Sequence, residues 1–166
     1  MKKVLIVLAL ICLVAFPVMA GNSYTGATKK NSVGVGLNLG TNTGVGLRFG
    51  MGSFDILANV GINNFSFKPF TLSADAAASY KVYTIDGGKD LKFPITVGIG
   101  AKAAIAFGDT TAVDLGVLVP VGIEYTFSEV PVTLYIRLAP GIKLLEATAF
   151  KIGFDYSGYI GALWNF

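Results

Sequence analysis

From residue 113 onward, bulky apolar side chains fall on every second position for more than fifty residues. Val113, Leu115, Val117, Val119, Val121, Ile123, Tyr125 and Phe127 alternate with Asp114, Gly116, Leu118, Pro120, Gly122, Glu124 and Thr126. After a turn at SEVP (128–131) the phase moves to even numbers. Val132, Leu134, Ile136, Leu138, Ile142 and Leu144 then oppose Thr133, Tyr135, Arg137, Ala139, Gly141 and Lys143. A helix repeats every 3.6 residues and cannot keep this phase; a strand, whose side chains point to opposite faces in turn, keeps it without strain. The segment is therefore β-structure with one greasy face.

The N-terminal half gives the same pattern with smaller residues. GVGLNLG (34–40) and GVGLRFG (44–50) form a near-repeat joined by Thr41, Asn42 and Thr43, and predict the first hairpin. Phe54 to Ile62, Phe70 to Tyr80 and Leu91 to Phe107 alternate likewise, with polar turns such as DGGKD (86–90) and GDTT (108–111) between strands. Eight antiparallel strands with short connections predict an up-and-down barrel. Pro120 and Pro140 lie within strands; each removes a ladder donor, so a bulge or bend is expected there.

Glycine indicates which face points outward. Gly34, Gly36, Gly46, Gly61, Gly98, Gly100, Gly116, Gly122, Gly141, Gly153 and Gly161 share the face that carries the charges. An eight-stranded barrel encloses just enough room for its own side chains, so small residues with a few long ones suit its interior. The bulky apolar face is then expected to meet lipid. Phe93 and Phe107 are 14 residues apart, a span of about 33 Å along the membrane normal at a tilt near 45°. Because lipid leaves no partner for an open sheet edge, the sheet must close.

The N-terminus predicts export. Lys2 and Lys3 precede an apolar run over residues 4–14, and Val18, Met19 and Ala20 fit a small-residue cleavage site. The expected organisation is a cleaved signal peptide (1–20), a short tail (21–31) and a transmembrane β-barrel (32–166). Cys12 is the sole cysteine and falls in the leader, so the mature chain has no thiol or disulfide. Lys2 and Lys3 also account for two of the formal net charge of +3, leaving +1 without a basic cluster. A nucleic-acid partner is not expected.

The final segment IGALWNF (160–166), with Phe166 last and Trp164 two before it, resembles the closing strand of outer-membrane barrels. With eight strands and a leader, the mature chain is similar to the small OmpA/OmpX-type proteins. That resemblance implies residence in the outer membrane of a diderm bacterium. It also implies that Ile160, Ala162, Trp164 and Phe166 form the signal read by the barrel-assembly machinery, a partner beside the bilayer itself.

Enzymes of that group rely on a histidine, and this chain has none, so Ser-His-Asp activation is absent and no enzymatic role is expected. No cofactor motif or metal-spaced cluster occurs; Gly34 and Gly98 open no helix and are spacers. Arg48, Asp55, Asp75, Lys81, Lys92, Lys102, Asp114, Glu124, Arg137, Lys143, Lys151 and Asp155 all fall on the inner face. A mixed-sign set in a narrow tube is expected to pair, since isolated buried charges are costly. Three readings follow: a structural or surface-interaction membrane protein with a charge-plugged interior, a narrow ion pore, or a soluble periplasmic lipid carrier with its greasy face turned inward. The turns near 42, 66, 109 and 148 are expected outside the cell, and 63–69, with Phe65 and Phe67, is the connection best suited to an external ligand of unknown identity.

Overall fold

The computed structural model describes residues 32–88 and 91–166, without the side chains of residues 65 and 66; the expected signal peptide and tail lie outside this range. The elements are all strands: β1 (Val33–Gly40), β2 (Asn42–Gly50), β3 (Asp55–Phe67), β4 (Phe70–Asp86), β5 (Lys92–Phe107), β6 (Ala112–Leu118), β7 (Val121–Thr126), β8 (Val132–Glu146) and β9 (Ala149–Asn165). Each pairs antiparallel with its neighbours, and β9 returns to pair with β1 from Gly34↔Asn165 to Gly40↔Tyr159. The sheet therefore rings round on itself.

Nine segments fill eight places in the ring. β6 and β7 both lie between β5 and β8, forming one strand interrupted at Val119 and Pro120. The expected disturbance at Pro120 is thus a break. Pro140 behaves differently: β8 runs through it in register, opposite Tyr156. Its carbonyl accepts from Val119 N–H at 2.8 Å, which places the edge lacking a donor against the strand already broken. Two prolines facing one gap leave fewer ladder bonds unmade than two separate ones.

The register fixes the tilt. Rungs lead from Gly36 through Gly46, Asn59, Asp75, Lys102, Gly116 and Lys143 to Gly153, yet Gly36 itself pairs with Leu163. The offset of ten positions (163 − 153) over eight strands corresponds to a tilt of about 40° for strands ~4.8 Å apart rising ~3.3 Å per residue.

The alternation faces as glycine indicated. Leu37, Ile99, Ile136 and Leu138 are 67%, 62%, 55% and 65% exposed on the outside, while Arg48 and Arg137 between them are each 2% exposed inside. Glycine also makes room: a side chain on Gly161 would run into the Tyr135 ring, and one on Gly36 into the backbone of β9. One expected loop is a strand instead. β3 continues to Phe67 across a register shift after Ile62, leaving only Lys68 and Pro69 between β3 and β4.

Candidate functional site in the barrel interior

Seven of the twelve charged residues expected inside are brought together in two groups, with Asp75 between them. The tighter group joins β2, β7 and β8. Glu124 accepts from Arg48 Nη1 and from Arg137 Nη2, one guanidinium on each carboxylate oxygen, both at 3.0 Å. Arg48 Nη2 also donates to Thr133 Oγ1 at 3.1 Å and to Asn165 Oδ1. The Arg137 guanidinium lies 4.8 Å from the Tyr135 ring centre and 5.9 Å from that of Tyr159, so its faces meet aromatic π-systems rather than water. This cluster fills the tube.

Asp75 on β4 is held by neutral donors. Asn42 Nδ2 reaches Oδ2 at 2.9 Å, while Asn59 Nδ2 and the Tyr159 hydroxyl reach Oδ1 at 2.6 and 3.2 Å. Asn38 in turn donates to the Asn42 carbonyl. Two arginines, Glu124 and Asp75 together are charge-neutral, which is what a buried set requires to avoid a net desolvated charge. Below the open end, the space lined by Leu57, Asp75, Leu118, Arg137 and Tyr159 is about 10 Å³, at the threshold for one water.

The second group sits toward the end that carries the β8–β9 turn. Lys102 Nζ lies 3.4 Å from Asp155 and 3.3 Å from the Tyr156 carbonyl. Lys143 Nζ lies 3.4 Å from Asp114 and 3.5 Å from Glu146, and Lys151 pairs with Glu146. Lys102, Lys143, Asp114 and Asp155 surround a cavity of about 220 Å³ that Asn63, Asn64, Gly116 and Phe154 complete, while Glu146 and Lys151 lie beyond its lining. We call it the vestibule.

Of the remaining expected residues, Asp55 opens β3, Lys92 opens β5 and Lys151 lies near the start of β9, whereas Lys81 sits within β4. Asp55 and Lys81 are part-buried and each has an interaction partner, Lys92 is exposed, and Lys151 is exposed at the outer rim rather than enclosed. Asn38, Asn42, Asn59, Thr133, Tyr135, Tyr159, Asn165 and Glu146 belong to the network, although counting charged inner-face residues does not select them. All but Glu146 share the inward parity of their strands, so the alternation carried the signal. On the outer face near the chain's end, Ile160, Trp164 and Phe166 are exposed, the last at 77%. Compared with known proteins, the chain matches no family model, no curated protein and no solved structure.

Proposed function

We propose that the chain is an integral outer-membrane β-barrel protein of a diderm bacterium with a structural or surface-interaction role, its interior closed by the Arg48–Glu124–Arg137 cluster. The observation that carries this reading is the inversion of the usual globular arrangement. Leu37, Leu39, Ile99, Ile136, Leu138 and Ile160 are each more than half exposed around the ring, while charged and amide side chains fill the centre. Monomers in water rarely expose contiguous apolar patches beyond a few hundred Å². A bilayer removes that cost, and the closed ladder meets its demand that no sheet edge stay unpaired in lipid.

The bilayer is accordingly the main partner, and Ile160, Ala162, Trp164 and Phe166 lie together on the lipid-facing side where an assembly factor would read them. Support for an ion pore is weaker, because beside Arg137 the interior narrows to a space of about 10 Å³. Support for a carrier is weaker still, because the greasy face points away from the interior.

Gel migration tests the reading. Protein extracted from membranes and left unheated is expected to run as a compact band that shifts on boiling. Recovery in the soluble fraction without detergent would reject the membrane assignment. In planar bilayers no stepwise current is expected, whereas steps altered by Arg137→Ala would favour the pore.

A further inference from the structure

The wall of the barrel has one low point, and the vestibule lies behind it. β1 ends at Gly40 and β2 begins at Asn42, whereas β4, β5, β8 and β9 reach Phe70, Phe107, Glu146 and Ala149 at the same end. Pairing of β1 with β9 stops at Gly40↔Tyr159, so residues 149–157 of β9 have a ladder partner only in β8. Pairing of β2 with β3 stops at Asn42↔Asn63. At the tilt set by the register, the β8–β9 tip stands about 20 Å above the Thr41 turn.

That low point lies within the apolar band. Phe154 and Trp164, outward on β9, are ten residues apart (164 − 154), which is about 25 Å along the normal and matches the height of a barrel's lipid-facing belt. Thr41 N–H bonds the Gly158 carbonyl, four residues inside that belt from Phe154. The phenyl and phenol rings of Phe154 and Tyr156 pack at 6.3 Å on the outer face beside the gap, while Asp155 between them points into the vestibule. Acyl chains and the polar cavity therefore meet at one place, without a strand between them.

The cavity's chemistry narrows what fits. Lys102 and Lys143 face Asp155 and Asp114 at 3.4 Å, longer than the 3.0 Å contacts of the plug and than ordinary charge-assisted bonds. Such loose pairs are readily parted by a ligand that offers both signs. Lys102 is 9% exposed, and Asn63 Oδ1 is buried with no hydrogen-bond partner. At about 30 Å³ per water the volume holds several waters, enough for a compact polar group.

We propose that the vestibule binds the headgroup of a zwitterionic phospholipid of the phosphoethanolamine type, which comes in sideways over the β1–β2 turn. The phosphate lies against Lys102 and Lys143, the ammonium against Asp114 and Asp155, and the acyl chains leave past Phe154 and Tyr156. A net-anionic headgroup would satisfy the lysines but leave Asp114 and Asp155 without a cation, held only by the backbone N–H groups of Ala147 and Tyr156. This proposal rests on the membrane-spanning reading.

The test inserts the protein into nanodiscs of equal phosphatidylethanolamine and phosphatidylglycerol with identical chains, then counts lipids retained on the released protein by native mass spectrometry. Retention of one phosphatidylethanolamine, favoured about tenfold, is expected. Gly153 shares the inward parity of β9 and pairs with Lys143, which lines the cavity, and a side chain there would meet nothing within 4 Å, so Gly153→Trp should fold, reach across the vestibule and abolish retention. Lys102→Gln with Asp155→Asn should abolish the preference. Equal retention of both lipids, or unchanged retention in Gly153→Trp, would overturn the proposal while leaving the membrane reading intact. Displacement by soluble glycerophosphoethanolamine as readily as by lipid would overturn sideways access. Failure to insert at all would remove the membrane reading itself.

Discussion

The plug and the vestibule use the same residue types on the same inward-facing positions, yet one is a closed network and the other an open one. In the plug, Glu124 has a guanidinium on each oxygen at 3.0 Å and its neighbours are Tyr135, Tyr159, Thr133 and Asn165. In the vestibule the two pairs that line the cavity, Lys102–Asp155 and Lys143–Asp114, are 3.4 Å long and are bordered by Gly116 and Ala104; the short Lys151–Glu146 pair lies outside the lining, at the rim. The difference lies in what separates the charges. Aromatic and amide spacers exclude water and lock a pair; glycine and alanine leave it adjustable.

The harshest way to break this comparison is Glu124→Gln. It leaves two guanidiniums, each about 2% exposed, without their anion, and removal of one partner from a buried ion set costs about 3–5 kcal/mol. Urea unfolding in vesicles, followed by the single tryptophan Trp164, should show that loss. An unchanged midpoint would mean that the plug is hydrated and no tighter than the vestibule.

Depth separates the two regions from outside as well. Leu138 lies on the outer face beside Arg137, and on the membrane-spanning reading it falls near the middle of the belt, where Leu138→Arg is expected to cost about 2–4 kcal/mol in a bilayer. Ile152, at the level of the vestibule rim and above Phe154, should tolerate the same change at about 0–1 kcal/mol. Equal costs at the two positions would place the membrane elsewhere.

Much of this was legible in the sequence, and the reason is the period of two. Once Val117, Ile136 and Ile99 are assigned outward, the inward residues of the regular strands follow, including Arg48, Glu124 and Arg137, though not Glu146, which lies beyond the register shift after Lys143. Ionic partners were not legible, because register between distant strands and not spacing along one strand brings Arg48 to Glu124. Asp75 illustrates a second limit: it falls on the inner face as expected, but its partners are Asn42, Asn59 and Tyr159, neutral residues that a search for opposite charges passes over. The low wall at Thr41 was equally hidden. It arises because β1 and β2 are 8 and 9 residues long against 17 for β9, and no local residue announces the mismatch.

A smaller effect sharpens the position of Tyr159 on the boundary between the two regions. Its hydroxyl accepts from Asn59 and donates to Asp75. Tyr159→Phe keeps the ring beside Arg137 and removes one donor from a buried carboxylate, a loss of about 1–2 kcal/mol in the same unfolding assay. No loss would indicate that Asp75 is held by the two amides alone.

The smallest expected change tests the vestibule on its own terms. The side chains of Lys143 and Asp114 are 23% and 38% exposed, and their long contact sits at the edge of a wet cavity. Water and mobile ions therefore compete for both groups, and exposed pairs of this kind contribute about 0–1 kcal/mol. Lys143→Gln should move the unfolding midpoint by no more than that. At about 1 M salt the screening length falls to ~3 Å, so even this difference should vanish. The Glu124→Gln loss should persist, because salt does not enter the plug. A Lys143→Gln effect that is large and insensitive to salt would mean that the vestibule closes over its charges in the membrane, and the distinction between the two ends of the lumen would then be one of degree.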